Sequence, residues 1–278
     1  MDIRDLQKKA DQIRVDTLRT LHGSGVGYVG SAMSAVEIMT ALYYGQFPRR
    51  KIVNLDVRMP GWEGRDYVVM SKSHCAPLQY SILADFGFFS KEELQYFARP
   101  GSMLQAKPSL KVPGMSATAG THGHGLSVAL GIAMSLKMDR KDNKVYAILG
   151  DGELQTGQIW EAATAAAHYK LNNLIVLIDH NKLQRSGPVN AVMDIASIRA
   201  KFDAFGWNVS QVLDGHNFNE LIDGIERGFT SVRRPVCIIC HTVSGKGLCF
   251  AEGKPGYHAA ELSEPEMTEI ISQLTKSS

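Results

Sequence analysis

The sequence predicts an α/β fold, a mostly parallel sheet with helices on both faces. Three observations carry the prediction. Apolar runs without polar alternation, KVYAIL at 144–149, LIVLID at 174–179 and PVCIIC inside 235–242, read as strands covered on both sides. Helix-length stretches alternate with those runs, which is the pattern of βαβ units. The length of 278 residues suits one large α/β domain with a sizeable core, so 1–278 reads as a single domain.

The elements follow in order. Residues 4–22 carry Leu6, Ile13, Val15, Leu18 and Leu21 among charges, an amphipathic helix. The string GSGVGYVG comes next, with Gly25, Gly27 and Gly30 at the dinucleotide-binding spacing G-x-G-x-x-G. That fingerprint needs a strand before its first glycine, and here a helix precedes it, so the match is set aside. Residues 31–44 read as a second helix, and 75–98 as one or two more with a turn near Gly87. Residues 99–123, rich in Gly, Pro and Ser and without periodicity, form a long loop of the kind that usually carries function. A regular alternation follows: helix 124–139, strand 144–149, helix 157–169, strand 174–179, helix 195–205, strand 207–213, helix 217–230, strand 235–242 and a closing helix 263–275.

Composition excludes some function classes. A formal charge of +2 gives no long-range field for nucleic acid or an anionic membrane, and neither is expected as a partner. The charged, helical N-terminus is not secretory and no apolar run approaches the roughly 20 residues of a span, so the expected location is cytoplasmic. Four cysteines do not make a disulfide framework. Cys237 and Cys240 spell C-x-x-C inside a strand, where side chains three apart point to opposite faces, so both are expected in the core.

The chemistry concentrates in residues 144–187. One strand runs into Gly150-Asp151-Gly152, and after a helix a second strand ends in Asp179-His180-Asn181. Both clusters fall at carboxyl ends of parallel strands, where open α/β sheets bind ligands. If those strands are neighbours, Asp151 and Asn181 meet. A carboxylate and an amide oxygen are hard donors suited to Mg²⁺ or Ca²⁺, and Mg²⁺ commonly keeps phosphate oxygens as further ligands. Glycines flanking the Asp let the backbone approach a phosphate group. The tripeptide alone would equally suit an ordinary turn.

Gly150-Asp151-Gly152 through Asn181 resembles the thiamine diphosphate motif. The words GELQTGQIWEA, YKLNNLIVLIDHNKLQ, DGHN, HTVSGKGLCF and GYHAAE resemble the transketolase family over nearly the whole chain. The resemblance implies the thiamine diphosphate-binding fold, with Mg²⁺ (or Ca²⁺) held by Asp151, Asn181 and the carbonyl of Leu183. It implies Gly150, Gly152 and Glu153 beside the cofactor, and His74 and His258 as diphosphate-contacting, catalytic histidines. Gly120 and His122, in GTHGHG, correspond to the family's aminopyrimidine-side loop. His122 and His124 do not read as a metal pair, because no further ligand stands at a suitable spacing.

Three departures stand out. Tyr28 replaces a substrate-facing histidine, and Lys107 replaces a second, so Tyr28, Lys107 and His258 are the expected substrate contacts. Thr156 stands where relatives often have Glu, leaving Glu161 as the one remaining member of an acidic relay between active sites. Tyr and Lys titrate near 10, unlike histidine, so the donor sugar is expected to be non-standard: phosphorylated, sulfonated or branched.

In this family a glutamate on a pyrimidine-binding domain assists the cofactor, and no second α/β pattern follows here. The expectation is therefore one subunit of a split transketolase. It would transfer a two-carbon ketol unit from a ketose to an aldose acceptor, with a second chain supplying the pyrimidine-binding and C-terminal domains and two copies of each chain in the assembly. A non-catalytic thiamine diphosphate-binding module, and subunits of the 1-deoxyxylulose-phosphate synthase-like or 2-oxo acid dehydrogenase alpha-like kind, remain alternatives.

Overall fold

The computed structural model describes residues 1–276. Its helices are α1 (Ile3–Leu21), α2 (Val29–Met33), α3 (Val36–Tyr44), α4 (Ala76–Phe86), α5 (His124–Met138), α6 (Gly157–His168), α7 (Val189–Met193), α8 (Ile198–Ala204), α9 (Phe218–Phe229) and α10 (Glu264–Lys276). A central sheet takes the order β3 (Tyr67–Met70), β4 (Val145–Gly150), β5 (Leu174–His180), β9 (Val236–His241) and β8 (Asn208–Val212). Every pairing in it is parallel. Two short antiparallel pairs lie outside it: β1 (Gln46–Phe47) with β2 (Arg50–Lys51), and β6 (Leu183–Gln184) with β7 (Gly187–Pro188).

The strands are apolar throughout because both faces are covered. Tyr146, Ile148, Ile175 and Leu177 enter one core with α1, α3, α4 and α9, whereas Val145, Ala147, Leu149, Val176 and Ile178 enter the other, under α5, α6 and α8. The same period of two separates the cysteines: Cys237 lies in the second core and Cys240 in the first. Burial raises both thiols well above their ordinary range, so they are core packing groups.

The expected helix over 31–44 is corrected to two. The Ser34 hydroxyl donates to Asp179 Oδ2 at 2.6 Å, with the Ser31 carbonyl a second acceptor 3.0 Å away, and the helix breaks at Ser34–Ala35. The structure also adds β3, which the sequence reading left without an element. The glycine string packs rather than binds: a Cβ at Gly27 would sit 2.5 Å from the Ala259 carbonyl, and one at Gly30 would sit 2.8 Å from both Ser244 Oγ and the Tyr257 carbonyl. Gly27 and Gly30 thus let α2 press against the turn carrying His258.

DGHN has a structural role as well. His216 Nε2 accepts the Val243 N–H at 2.9 Å, so Nδ1 carries the proton and donates to Glu37 at 2.8 Å. Glu37 also pairs with buried Arg14, which joins α1, α3 and the loops after β8 and β9 around one charge cluster.

Candidate active site

Adjacent parallel strands deliver the site. Gly150 lies opposite Asp179 in the β4–β5 register, so Asp151 and Asn181 leave neighbouring strand ends together. Ser71–His74 follow β3 on the other side of β4. The segment around Pro255–Ala259 returns over the strand ends and brings His258. These pieces enclose a cavity of about 530 Å³ lined by Tyr28, His74, His122, Gly150, Asp151, Gly152, Glu153, Asn181, Leu183 and His258.

Three expected residues lie elsewhere. Lys107 is exposed, with its stem against Gly120, where an added Cβ would meet Lys107 Cδ at 2.7 Å. Neither residue lines the cavity. Glu161 is exposed on α6, also outside it.

Sequence reasoning missed Ser31, Lys72, Gln184 and Arg185 as cavity residues. Lys72 stood in plain view in SKSHCAP, two positions before His74.

Asp151 is buried, and its carboxylate is ringed by donors. Oδ1 accepts the Gly152 N–H at 2.8 Å, and Oδ2 accepts the Lys182 N–H at 2.6 Å with His180 Nδ1 at 3.0 Å. Among the described residues no Lys or Arg forms an ion pair with it. A buried carboxylate without such a partner is a place for a cation. Asn181 is held beside it, donating to Ser34 Oγ at 3.0 Å while its Oδ1 accepts the Leu183 N–H at 3.0 Å.

Beneath lies a second charge pair. Lys72 Nζ donates to Asp179 Oδ2 at 2.5 Å and to the Ser31 carbonyl at 2.9 Å, and Asp179 also accepts from Ser34 and Thr242. Burial works against the ammonium most strongly of any single influence, but the charge and hydrogen bond of Asp179, with Cys75 and Asp151, together outweigh it and hold Lys72 above the usual lysine range. Lys72 is therefore satisfied within the chain.

His74 and His258 are neutral near pH 7. Burial, reinforced by His258, His122, Lys72 and Arg185, pushes His74 down to about 3. Burial and Lys72, opposed by Asp151, push His258 down to about 4. They act as hydrogen-bonding groups rather than as fixed charges. Tyr28 lies flat on His74, with ring centroids 4.0 Å apart and planes 10° apart, while His122 and His258 meet the same ring edge-on. The aromatic that departs from the expected pattern thus fixes the orientation of His74.

Three residues that line the cavity each carry a buried polar atom with no hydrogen-bond partner among the described residues: Ser31 Oγ, Gln184 Oε1 and His258 Nδ1. Buried polar atoms are normally paired, so these mark where a polar ligand is received. Ser31 Oγ and His258 Nδ1 can donate to an anionic group, and the Asp151 carboxylate, which has no Lys or Arg partner among the described residues, suits a divalent cation bridging that group, which is what a diphosphate cofactor presents.

Glu153 yields a prediction. Burial raises its carboxyl to about 7, against partial offsets from Ser71 Oγ at 2.5 Å and the Gly150 N–H at 3.3 Å. A folded-state value above the unfolded one means that its contribution is fully present below about 4.5 and is lost as pH rises through about 7. Glu153→Gln copies the protonated form, its amide oxygen accepting from Gly150 and its NH₂ donating to Ser71. Urea unfolding of the ligand-free chain is expected to show the variant gaining on wild type across that window, by on the order of 3 kcal/mol at pH 8.5. A difference independent of pH would show that Glu153 is ionised in the folded chain.

Comparison with known proteins shows the family and the fold. Residues 6–276 match the family described as transketolase, thiamine diphosphate binding domain. The chain is 38% identical over 273 residues to the 6-deoxy-6-sulfo-D-fructose transketolase subunit of Clostridium sp. (strain MSTE9), covering 98% of this chain and 97% of that protein. It is 35% identical to an apulose-4-phosphate transketolase subunit of Phocaeicola vulgatus, covering 99% and 97% respectively. Human transketolase is 32% identical, but there the match covers 98% of this chain and only 42% of the human protein. The crystal structure of Campylobacter jejuni transketolase superposes with a TM-score of 0.91 at 27% identity, over 99% of this chain and 43% of that one.

Proposed function

Because the chain belongs to the transketolase thiamine diphosphate-binding family, we propose that it is the diphosphate-binding subunit of a split transketolase. In this reading it transfers a two-carbon ketol unit from a ketose to an aldose acceptor. The observation that carries the reading is the cavity, which gathers Asp151, Asn181, His74 and His258 at the strand ends and, among the described residues, leaves three buried polar atoms of its lining residues unpartnered. Bound thiamine diphosphate supplies the carbanion chemistry at a carbonyl carbon.

The chain's own residues bind and orient. Asp151, Asn181 and the Leu183 carbonyl hold Mg²⁺, and Gly152, Ser31, His74 and His258 receive the diphosphate. Gly150 and Glu153 shape that cradle, while His122 and Gly120 border the aminopyrimidine side. Tyr28 and His258 face the sugar, with Lys107 a more distant contact. A phosphorylated, sulfonated or branched ketose as donor is supported by the altered Tyr28 and by relatives named for sulfofructose and apulose 4-phosphate.

A second polypeptide with the pyrimidine-binding and C-terminal domains is supported by the near-complete match to proteins named as subunits, against 42% of the human protein. Two copies of each chain are supported by α5. It is apolar over most of its length, yet Val128, Leu130, Ile132 and Met134 are only half-buried and Met138 is 77% exposed. Such a helix seeks a further surface, and packing it there would carry neighbouring α6, with Glu161, toward a second site. Among the described residues no helix is long and apolar enough to cross a membrane, and the charged amphipathic α1 supports a cytoplasmic enzyme.

Reconstitution tests the reading. The chain mixed with its genomically adjacent partner, thiamine diphosphate and Mg²⁺ is expected to transfer ketol units across a panel of ketose donors, and neither polypeptide alone is. Full transfer by this chain alone would overturn the split assembly. Mg²⁺-dependent cofactor binding without turnover of any donor would instead indicate a binding module.

A further inference from the structure

Arg185 occupies the tip of the β6–β7 hairpin. Leu183 pairs with Pro188 and Gln184 with Gly187, which leaves Arg185 and Ser186 as a two-residue turn with Gly187 at φ 128° closing it. β6 packs against the turn that carries His258, so the tip is fixed relative to the site, and both tip residues line the cavity. The guanidinium's field reaches inside: it contributes to the depression of both His74 and His258.

What distinguishes Arg185 from Lys72 is that no hydrogen bond or ion pair among the described residues satisfies its guanidinium. Lys72, the other cation lining the cavity, is buried and tied to Asp179. Arg185 is exposed, and among the described residues no carboxylate pairs with it. Lys107, the cation expected from the sequence, lies outside the cavity. The atoms suited to the cofactor's diphosphate are buried ones, Ser31 Oγ and His258 Nδ1, with the Asp151 carboxylate suited to its cation, whereas Arg185 is exposed at the hairpin tip. A planar guanidinium with five donors fits a tetrahedral oxyanion in bidentate fashion.

We propose that Arg185 is a specificity residue that receives the distal oxyanion, phosphate or sulfonate, of the sugar substrate at the edge of the cavity. The proposal rests on the ketol-transfer reading of the same site.

R185Q and R185K are compared with wild type in the reconstituted, cofactor-loaded complex, using xylulose 5-phosphate, 6-deoxy-6-sulfofructose and neutral xylulose as donors. R185Q is expected to raise KM for a charged donor about ten- to a hundredfold with kcat within about twofold, to leave neutral xylulose unchanged, and to be partly rescued by R185K. Whichever charged donor shows the larger change identifies the anion. Calorimetry supplies a readout independent of turnover: loaded wild-type complex should bind ribose 5-phosphate at least about tenfold more tightly than ribose, and R185Q should lose that preference while its affinity for thiamine diphosphate stays the same. Equal loss for charged and neutral donors, or weakened cofactor binding with unchanged donor selectivity, overturns the proposal. If wild type turns over no donor, the ketol-transfer reading fails, and the calorimetric preference still decides the role of Arg185.

Discussion

Lys72→Met is expected to destabilise the folded chain by about 3–5 kcal/mol, the usual cost of removing one partner from a buried ion pair. Asp179 is fully buried and is held by Lys72 Nζ, Ser34 and Thr242. Without the ammonium its charge has two neutral donors and no counter-charge. The damage should reach the site, because Ser34 also accepts from Asn181, and the Ser31 carbonyl loses its bond from Lys72. Lys72→Met should therefore weaken thiamine diphosphate binding along with stability. The double variant Lys72→Met, Asp179→Asn removes both charges, and it should lose less stability than the two single changes together. Urea unfolding of the four proteins at pH 7 measures the coupling. Strict additivity would show that the pair does not interact in solution.

That pair also shows what the sequence could and could not disclose. The five-stranded sheet was readable except for β3, whose apolar run is only Tyr67–Met70, too short to tell from a buried turn by periodicity. The face assignment of Cys237 and Cys240 came from the pleat alone and agrees with the two cores. Asp151 and Asn181 were legible because one βαβ unit links them, and their meeting needs only that β4 and β5 be neighbours. Lys72 was not legible, since its meaning depends on Asp179, in another strand far along the chain. The break at Ser34 was hidden for the same reason: helical periodicity continues through it, and only the distant carboxylate draws the hydroxyl aside. Lys107 shows the converse case. Its place in a motif suggested a substrate contact, but side-chain direction in an irregular loop is set by packing, here against Gly120.

Asp151→Ala should have the largest effect on function, with Mg²⁺-dependent affinity for thiamine diphosphate falling by more than about a hundredfold and ketol transfer by the reconstituted complex falling with it. Loss of a group that only orients a ligand already costs about 10–100-fold, and loss of the carboxylate itself should exceed that. The change is not confined to the cation. Asp151 accepts from the Gly152 and Lys182 N–H groups and from His180, and the truncation leaves these donors without it. Each unpaired buried donor costs about 1–3 kcal/mol, so a folding defect must be separated from a binding defect. Asn181→Ala makes that separation, because among the described residues the Asn181 side chain bonds to Ser34 and Leu183 alone, and its loss disturbs less of the backbone. If the two residues share one cation, both variants should lose cofactor affinity, and raising Mg²⁺ should restore Asn181→Ala more readily than Asp151→Ala. Calorimetric titration at fixed thiamine diphosphate, with circular dichroism as a check on folding, reads both. An Asp151→Ala chain that folds and keeps the wild-type Mg²⁺ dependence would place the cation elsewhere in the cavity.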